Sequence, residues 1–156
     1  MKDHHQPLII IEDSDDDFEA TIRALKRKSG LENPIIRFED GNSLMAYLNT
    51  EYPEDELQPN QLPALILLDL NLPGKTGHKI LEELKQDPKF KIIPVVILTT
   101  SSDNRDIDIC YEKGANSFIV KPVDIEAFTT SLQHVKEYWF DVSALPKRIK
   151  LGTGSK

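Results

Sequence analysis

The chain has 156 residues, of which 39% are hydrophobic and 29% are charged, and its formal net charge is −7. This composition is typical of one globular domain, and the negative charge argues against binding to nucleic acid or to an anionic membrane surface. Cys110 is the only cysteine, which excludes an internal disulfide and favours a reducing compartment. No apolar run approaches the roughly 18 residues of a membrane span and no signal peptide opens the chain, so we expect a cytoplasmic protein.

Five short apolar runs predict five β-strands. Their residues are mostly branched and do not alternate with polar residues, which is typical of parallel strands that are buried on both faces. Turn residues and helical segments separate the runs. The predicted strands are residues 7–11, 35–38, 65–68, 94–98 and 117–120.

Segments with apolar residues at helical spacing follow each strand. They are bounded by residues that cap or stop helices. The acids 15–17 suit the positive end of the first helix, and capping with solvation is favoured over a metal role for them. The predicted helices run from Ser14 to Gly30, from Gly41 onward, from Gly77 to Gln86, through Ile107 and Cys110 to Gly114, and from Asp124 through Trp139.

Three segments lie outside this pattern. Residues 1–6 have no periodicity and are predicted to be a mobile N-terminus. Residues 50–63 form an acidic, proline-bearing connection that is longer than usual and is predicted to be a surface excursion. Residues 141–156 are predicted to be a C-terminal tail, whose Gly-Thr-Gly-Ser end resembles a linker or a cloning remnant.

Strands that alternate with helices predict an α/β fold. The expected architecture is a doubly wound five-stranded parallel sheet of flavodoxin-like order 2-1-3-4-5, with helices on both faces. In such sheets ligands bind and chemistry occurs at the carboxyl ends of the strands. The residues that follow each strand are therefore the first candidates for function.

The residues at four strand ends supply the parts for phosphoryl transfer to a carboxylate. Glu12 and Asp13 follow the first strand, Asp69 the third, Thr99 the fourth and Lys121 the fifth. An aspartate can form a covalent acyl phosphate. The charge on the transferred group is neutralised by a metal ion, a lysine and hydroxyl donors, and Mg²⁺ prefers oxygen ligands of this kind.

In order and in kind, these strand-end residues resemble those of the receiver domains of response regulators in two-component signalling. The resemblance covers residues 7–140. It implies that Asp69 accepts a phosphoryl group from the phosphohistidine of a sensor histidine kinase, in a Mg²⁺-dependent reaction. It implies a single-domain regulator that signals by changed protein binding or by phosphorelay, and no enzyme activity beyond self-phosphorylation from a donor and autodephosphorylation.

The resemblance also assigns roles to the residues around Asp69. Mg²⁺ would be ligated by Asp13, Asp69 and the backbone carbonyl of Asn71, with Glu12 acting directly or through a metal-bound water. Thr99 would bind a phosphoryl oxygen, and Lys121 would pair with the phosphoryl group.

Four further expectations concern residues near the site, and the first three follow from the same resemblance. Phe118 would change rotamer together with Thr99 on phosphorylation, with plain core packing as a nearly equal alternative. Asn71 and Ser101 would tune dephosphorylation. The bond between Lys121 and Pro122 is typically cis in this family, although the sequence leaves the isomer open. His78 is predicted to be an exposed loop or first-turn residue without a catalytic role.

The finer resemblance is to the single-domain regulators that are paired with bacterial phytochrome kinases. It rests on the stretches 67–73, 93–100 and 138–146. Such relatives dimerise through the last helices, so the aromatic end 138–140 is a candidate for a homodimer or a kinase contact, or for docking on the sheet. A downstream protein target is expected, with no nucleic acid or membrane partner.

Two other functions have to be weighed against the receiver. An unphosphorylated adaptor would keep the fold and lose parts of the site, yet every part is present. A phosphatase with an aspartate nucleophile, of the haloacid-dehalogenase type, would need a second aspartate two residues after Asp69. Asn71 stands at that position, which disfavours the phosphatase.

Overall fold

A computed structural model describes residues 5–53 and 62–146. The five strands form one parallel sheet in the order β2-β1-β3-β4-β5, which confirms the predicted fold. The strands are β1 (Leu8–Ile11), β2 (Ile35–Phe38), β3 (Leu65–Leu68), β4 (Val95–Thr99) and β5 (Ser117–Val120). Their bounds differ from the prediction by one residue at most, and β4 includes Thr99, which we expected to follow the strand.

The helices begin where short polar side chains can accept the first free N–H groups. Ser14, Asp40, Thr76, Asp103 and Asp124 are the caps. The first and last helices each continue into a π-helical segment, Arg23–Lys28 and Glu137–Val142. The helices are α1 (Asp15–Ile22), α2 (Gly41–Glu51), α3 (Gly77–Gln86), α4 (Asn104–Glu112) and α5 (Ile125–Lys136).

The sheet separates two hydrophobic layers. Alternate residues of the central strands point to opposite faces, so that Ile66 and Leu68 of β3 pack with α2, α3 and α4, while Leu65 and Leu67 pack with α1 and α5. All four residues of β1 and of β3 are buried. This burial on both faces explains why these strands read as unbroken apolar runs.

The two ends of the described domain meet at Gln6, just before β1. Gln6 is only 2% exposed, and its side-chain amide donates to the carbonyl oxygens of Leu62 at 2.9 Å and of Pro146 at 3.0 Å. Leu145 packs against the layer beneath α1 and α5. Gln6 was expected in the mobile N-terminus and residues 145 and 146 in the tail, but these residues are held by hydrogen bonds and packing.

The other expectations for the chain ends and for the acidic connection fall mostly on residues 1–4, 54–61 and 147–156, outside the described residues. Across residues 5–53 and 62–146, no helix combines the length and the apolar character that crossing a membrane requires.

Candidate functional site: an acidic cluster with a buried lysine

Backbone hydrogen bonds between neighbouring strands fix the ends of the strands at one edge of the sheet. The N–H of Glu12 donates to Phe38 at 2.9 Å, and the N–H of Asp69 donates to Ile11 at 3.2 Å. The N–H of Lys121 donates to the carbonyl of Thr99 at 2.7 Å. Because the backbone hydrogen bonds of the sheet extend to these residues, the backbone positions from which their side chains project are fixed.

Three carboxylates converge at this edge. Oxygen atoms of Glu12, Asp13 and Asp69 lie within 4.8 Å of one another. Glu12 is 4% exposed and Asp69 is 8% exposed, whereas Asp13 is exposed. Hard oxygen donors with one open side fit a divalent cation that keeps some of its water, so the donor set suits Mg²⁺.

The amine of Lys121 lies among the acids. Its Nζ atom is 2.7 Å from Glu12 Oε1, 3.0 Å from Asp17 Oδ2 and 3.4 Å from Asp69 Oδ2, and the side chain is 7% exposed. Burial alone would lower the pKa of Lys121, but the hydrogen bond and charge of Glu12, with smaller contributions from Asp69 and Asp17, raise this pKa above its usual value. The amine is therefore a permanent positive charge.

Burial acts differently on Glu12. It raises the pKa of the Glu12 carboxyl, and the charge of Asp69 acts in the same direction, although the hydrogen bond and charge of Lys121 oppose them. Two buried acids thus share one buried cation. An arrangement of this kind attracts a further cation.

Asp17 is a member of the site that sequence reasoning missed. We assigned the acids 15–17 to capping and solvation, yet Asp17 pairs with Lys121 at 3.0 Å, while Asp15 pairs with Arg37 at 2.9 Å. No local signal in the sequence singles out Asp17 for this contact, because Lys121 lies 104 residues away along the chain.

Thr99 completes the edge next to Asp69. The residue is fully buried, and its hydroxyl oxygen accepts from the N–H of Ser101 at 3.5 Å. The hydroxyl thus lies on β4, the strand next to the one that leads into Asp69. Of the strand-end residues named from the sequence, Glu12, Asp13, Asp69 and Lys121 meet at one place, and Thr99 ends the neighbouring strand β4.

The sequence and the fold that carry this site are similar to those of known proteins. The family profile described as "Response regulator receiver domain" matches residues 8–133. The chain belongs to the response regulator receiver family. It is therefore a response regulator, a protein of phosphorylation-based signalling.

The named relatives agree with this assignment. Response regulator Rcp1 of Synechocystis sp. is 35% identical over 149 residues, which cover 94% of this chain and 99% of that protein. The crystal structure of the phosphorylated cyanobacterial phytochrome response regulator RcpA has a TM-score of 0.79 at 35% identity and covers 91% of this chain and 99% of its own. The Mn²⁺-bound form of Rcp1 also has a TM-score of 0.79, at 34% identity, covering 90% of this chain and 99% of its own.

The loop after Asp69 in this receiver is held by a local hydrogen bond. The N–H of Asn71 donates to Asp69 Oδ1 at 3.1 Å, and the N–H of Gly77 donates to the carbonyl of Leu70 at 3.0 Å. Asn71 itself is exposed. Its place beside Asp69 is compatible with the expected carbonyl ligand and tuning role, which stay predictions.

The residues expected to form the switch lie on β5 and just after it. Phe118 is half-buried and packs against the layer that includes α2, α3 and α4. Its N–H donates to the hydroxyl of Tyr111 at 3.2 Å. All peptide bonds of the described residues are trans, so the bond between Lys121 and Pro122 differs from the cis isomer that is typical of the family.

His78 differs from its prediction. It lies in the first turn of α3, as one of the two expected positions, but its side chain is only 25% exposed and its Nε2 atom is 3.0 Å from Asp106 Oδ1. The partner is 28 residues away on α4, which is why local sequence gave no sign of this contact.

Proposed function

We propose that Asp69 of this receiver accepts a phosphoryl group from the phosphohistidine of a sensor histidine kinase. The main support is the surroundings of Asp69, a buried carboxylate whose Oδ2 atom lies 3.4 Å from the buried ammonium group of Lys121. Two further carboxylates converge at the same edge of the sheet. In the transfer, a bond forms between a carboxylate oxygen and phosphorus, the bond between phosphorus and the imidazole nitrogen breaks, and the imidazole leaves.

Mg²⁺ is the proposed cofactor. Asp13, Asp69 and the backbone carbonyl of Asn71 would hold it, with Glu12 acting directly or through water. When bound, the ion neutralises charge on the phosphoryl oxygens and so favours their approach to a carboxylate. The oxygen-only donor set supports this choice, and the relative Rcp1 has a Mn²⁺-bound form.

The chain's own residues supply the remaining charge neutralisation. Lys121 already faces Asp69 with a full positive charge, and the Thr99 hydroxyl would turn to a phosphoryl oxygen. Movement of Thr99, coupled to Phe118, would shift an equilibrium between two surface arrangements near α4 and α5. Altered protein binding, or onward transfer of the phosphoryl group, is the proposed output.

The proposed kinase is of the phytochrome type, because RcpA is a phytochrome response regulator and closely matches this chain in fold. A second copy of the chain is a proposed partner through the C-terminal helices. Tyr138 is 53% exposed and Val142 is 71% exposed at the end of the last helical segment, which leaves apolar surface for such contact. We also propose a cytoplasmic location and a protein target downstream.

The test is intact mass spectrometry after incubation with acetyl phosphate, with and without Mg²⁺. Wild type and the control Asp16→Asn should each gain one phosphoryl group only with Mg²⁺, whereas Asp69→Asn should gain none. Asp16 is a matched control because it is an exposed acid on α1 without a contact to Lys121. A folded wild type that gains no group and consumes no donor would favour the unphosphorylated adaptor instead.

A further inference from the structure

A line of hydrogen bonds connects α3, α4 and the loop that follows Thr99. Asp106 stands at its centre, with Oδ1 3.0 Å from His78 Nε2 and Oδ2 2.6 Å from the hydroxyl of Ser101. On the far side of the imidazole, His78 Nδ1 lies 3.6 Å from the sulfur of Cys110. We call the three residues His78, Asp106 and Ser101 the interhelix link.

The donors and acceptors of the link have one consistent order. A carboxylate only accepts, so His78 Nε2–H and the Ser101 hydroxyl both donate to Asp106. On the other side of the ring, His78 Nδ1 faces the Cys110 thiol. Burial, followed by the charge of Asp106, raises the pKa of Cys110 to about 11, so the thiol keeps its proton at neutral pH. Because Cys110 is fully buried, its thiol does not form a nucleophilic site with the imidazole of His78 and the carboxylate of Asp106.

The link ends at the residue that contacts Thr99. The Ser101 side chain is held by Asp106, and its N–H donates to the Thr99 hydroxyl oxygen. The N–H of Asp103 also donates to the Ser101 hydroxyl, at 3.3 Å. The loop between β4 and α4 is therefore fastened to α3 in the arrangement in which Thr99 is paired with Ser101.

We propose that Asp106, oriented by His78, is a positioning residue that holds the loop after Thr99 in its unphosphorylated arrangement. The proposal rests on the proposed function, in which the Thr99 hydroxyl turns to the phosphoryl group on Asp69. A turn of the Thr99 side chain toward Asp69 would carry its hydroxyl oxygen away from the Ser101 N–H, while Asp106 and His78 keep Ser101 in place. The link then favours the unphosphorylated state, and the receiver equilibrium depends on it.

Two substitutions of His78 distinguish the roles of its two ring nitrogen atoms. The amide nitrogen of glutamine can take the place of Nε2 and donate to Asp106, whereas the shorter asparagine can replace only the Nδ1 side. His78→Gln should therefore keep the link and His78→Asn should break it. Asp106→Ala removes both acceptors of the link, and Asp108→Ala is the control, because Asp108 is an exposed acid on the same helix.

The first measurement is hydrogen exchange in the unphosphorylated, metal-free protein. The amides of Ser101 and Asp103 should exchange about fivefold faster or more in His78→Asn and Asp106→Ala, and at wild-type rates in His78→Gln and Asp108→Ala. Unchanged exchange in both link-breaking variants would overturn the proposal, whatever the fate of the phosphorylation chemistry.

The second measurement is the affinity for beryllofluoride, a mimic of the acyl phosphate, by calorimetry with Mg²⁺ present. The two link-breaking variants should bind it about fivefold more tightly or more than wild type, and His78→Gln should match wild type. Equal or weaker binding in the variants would overturn the coupling alone. Failure of wild type itself to bind would overturn the proposed function and, with it, the coupling to Thr99.

Discussion

The close approach of Gly77 to the backbone around Asp69 makes Gly77→Ala a direct test of the site geometry. A Cβ atom at this position would clash with the carbonyl oxygen of Asp69, and it would lie 2.6 Å from Leu70 Cα and 3.0 Å from the carbonyl carbon of Asp69. All three are backbone atoms, so no side-chain rotation can relieve the clash. Either the first turn of α3 or the segment that carries Asp69 has to move.

The cost of this movement can be bounded. Overpacking of a well-packed region costs typically about 1–3 kcal/mol, and in a domain of this size each kcal/mol lowers Tm by about 2–4 °C. We expect Gly77→Ala to lower Tm by about 2–12 °C. Because the displaced segment includes Asp69, we also expect the affinity for Mg²⁺ to fall about tenfold, as when the supports of a metal ligand are removed.

The assay combines thermal unfolding with Mg²⁺ titration, and Gly30→Ala is the matched control. Gly30 has φ +72°, and a Cβ atom there would meet open space, with no other atom within 4 Å. Alanine in this left-handed conformation costs about 1–2 kcal/mol, far from the site. The control should lose stability and keep its Mg²⁺ affinity. Gly77→Ala with the Tm and Mg²⁺ affinity of wild type would refute the argument.

Two further predictions concern single side chains. Asp17→Asn removes one acceptor and one negative charge beside Lys121, so phosphorylation by acetyl phosphate should be about two- to fivefold faster, in line with a partly exposed ion pair; an equal change in Asp16→Asn would show a general charge effect instead. Cys110, whose pKa is raised by burial to about 11, should react with an aromatic disulfide reagent at pH 8 about 100-fold more slowly than the unfolded chain does. Rapid labelling of the folded protein would contradict the burial of the Cys110 thiol.

The arrangement of the strands was predictable because burial on both faces leaves a strong mark in the sequence. The residues 65–68 are all buried, and no polar residue interrupts them. The carboxyl ends of the strands lie at one edge in any parallel sheet. The convergence of Glu12, Asp69 and Lys121 therefore followed from the strand assignment. The order of the strands, which is expected of a doubly wound sheet of this kind, is confirmed.

The contacts that the sequence did not reveal join residues on different elements through their side-chain ends. Lys121 is 104 residues from Asp17, and Asp106 is 28 residues from His78. No local pattern specifies such pairs, because each polar residue is equally suited to a solvated helix face. The two hydrogen bonds of Gln6 were not predicted for the same reason, since its partners are carbonyl groups 56 and 140 residues away.

The three acceptors around Lys121 suggest where the proposed switch begins. An ammonium group has three N–H donors, and Glu12, Asp17 and Asp69 take one each at 2.7, 3.0 and 3.4 Å. The longest of the three contacts is the one to the proposed acceptor. Lys121 can therefore serve a phosphoryl group on Asp69 with this one donor while it keeps its two shorter contacts.

Such a lysine is a preorganised charge, which stabilises the product without much rearrangement. Thr99 differs, because a turn of its side chain toward a phosphoryl oxygen would carry the hydroxyl oxygen away from the Ser101 N–H, from which it accepts. The larger structural change is therefore expected at Thr99 and not at Lys121. It reaches Ser101 first, which is the residue that Asp106 and His78 hold, so the interhelix link acts where the change in structure starts.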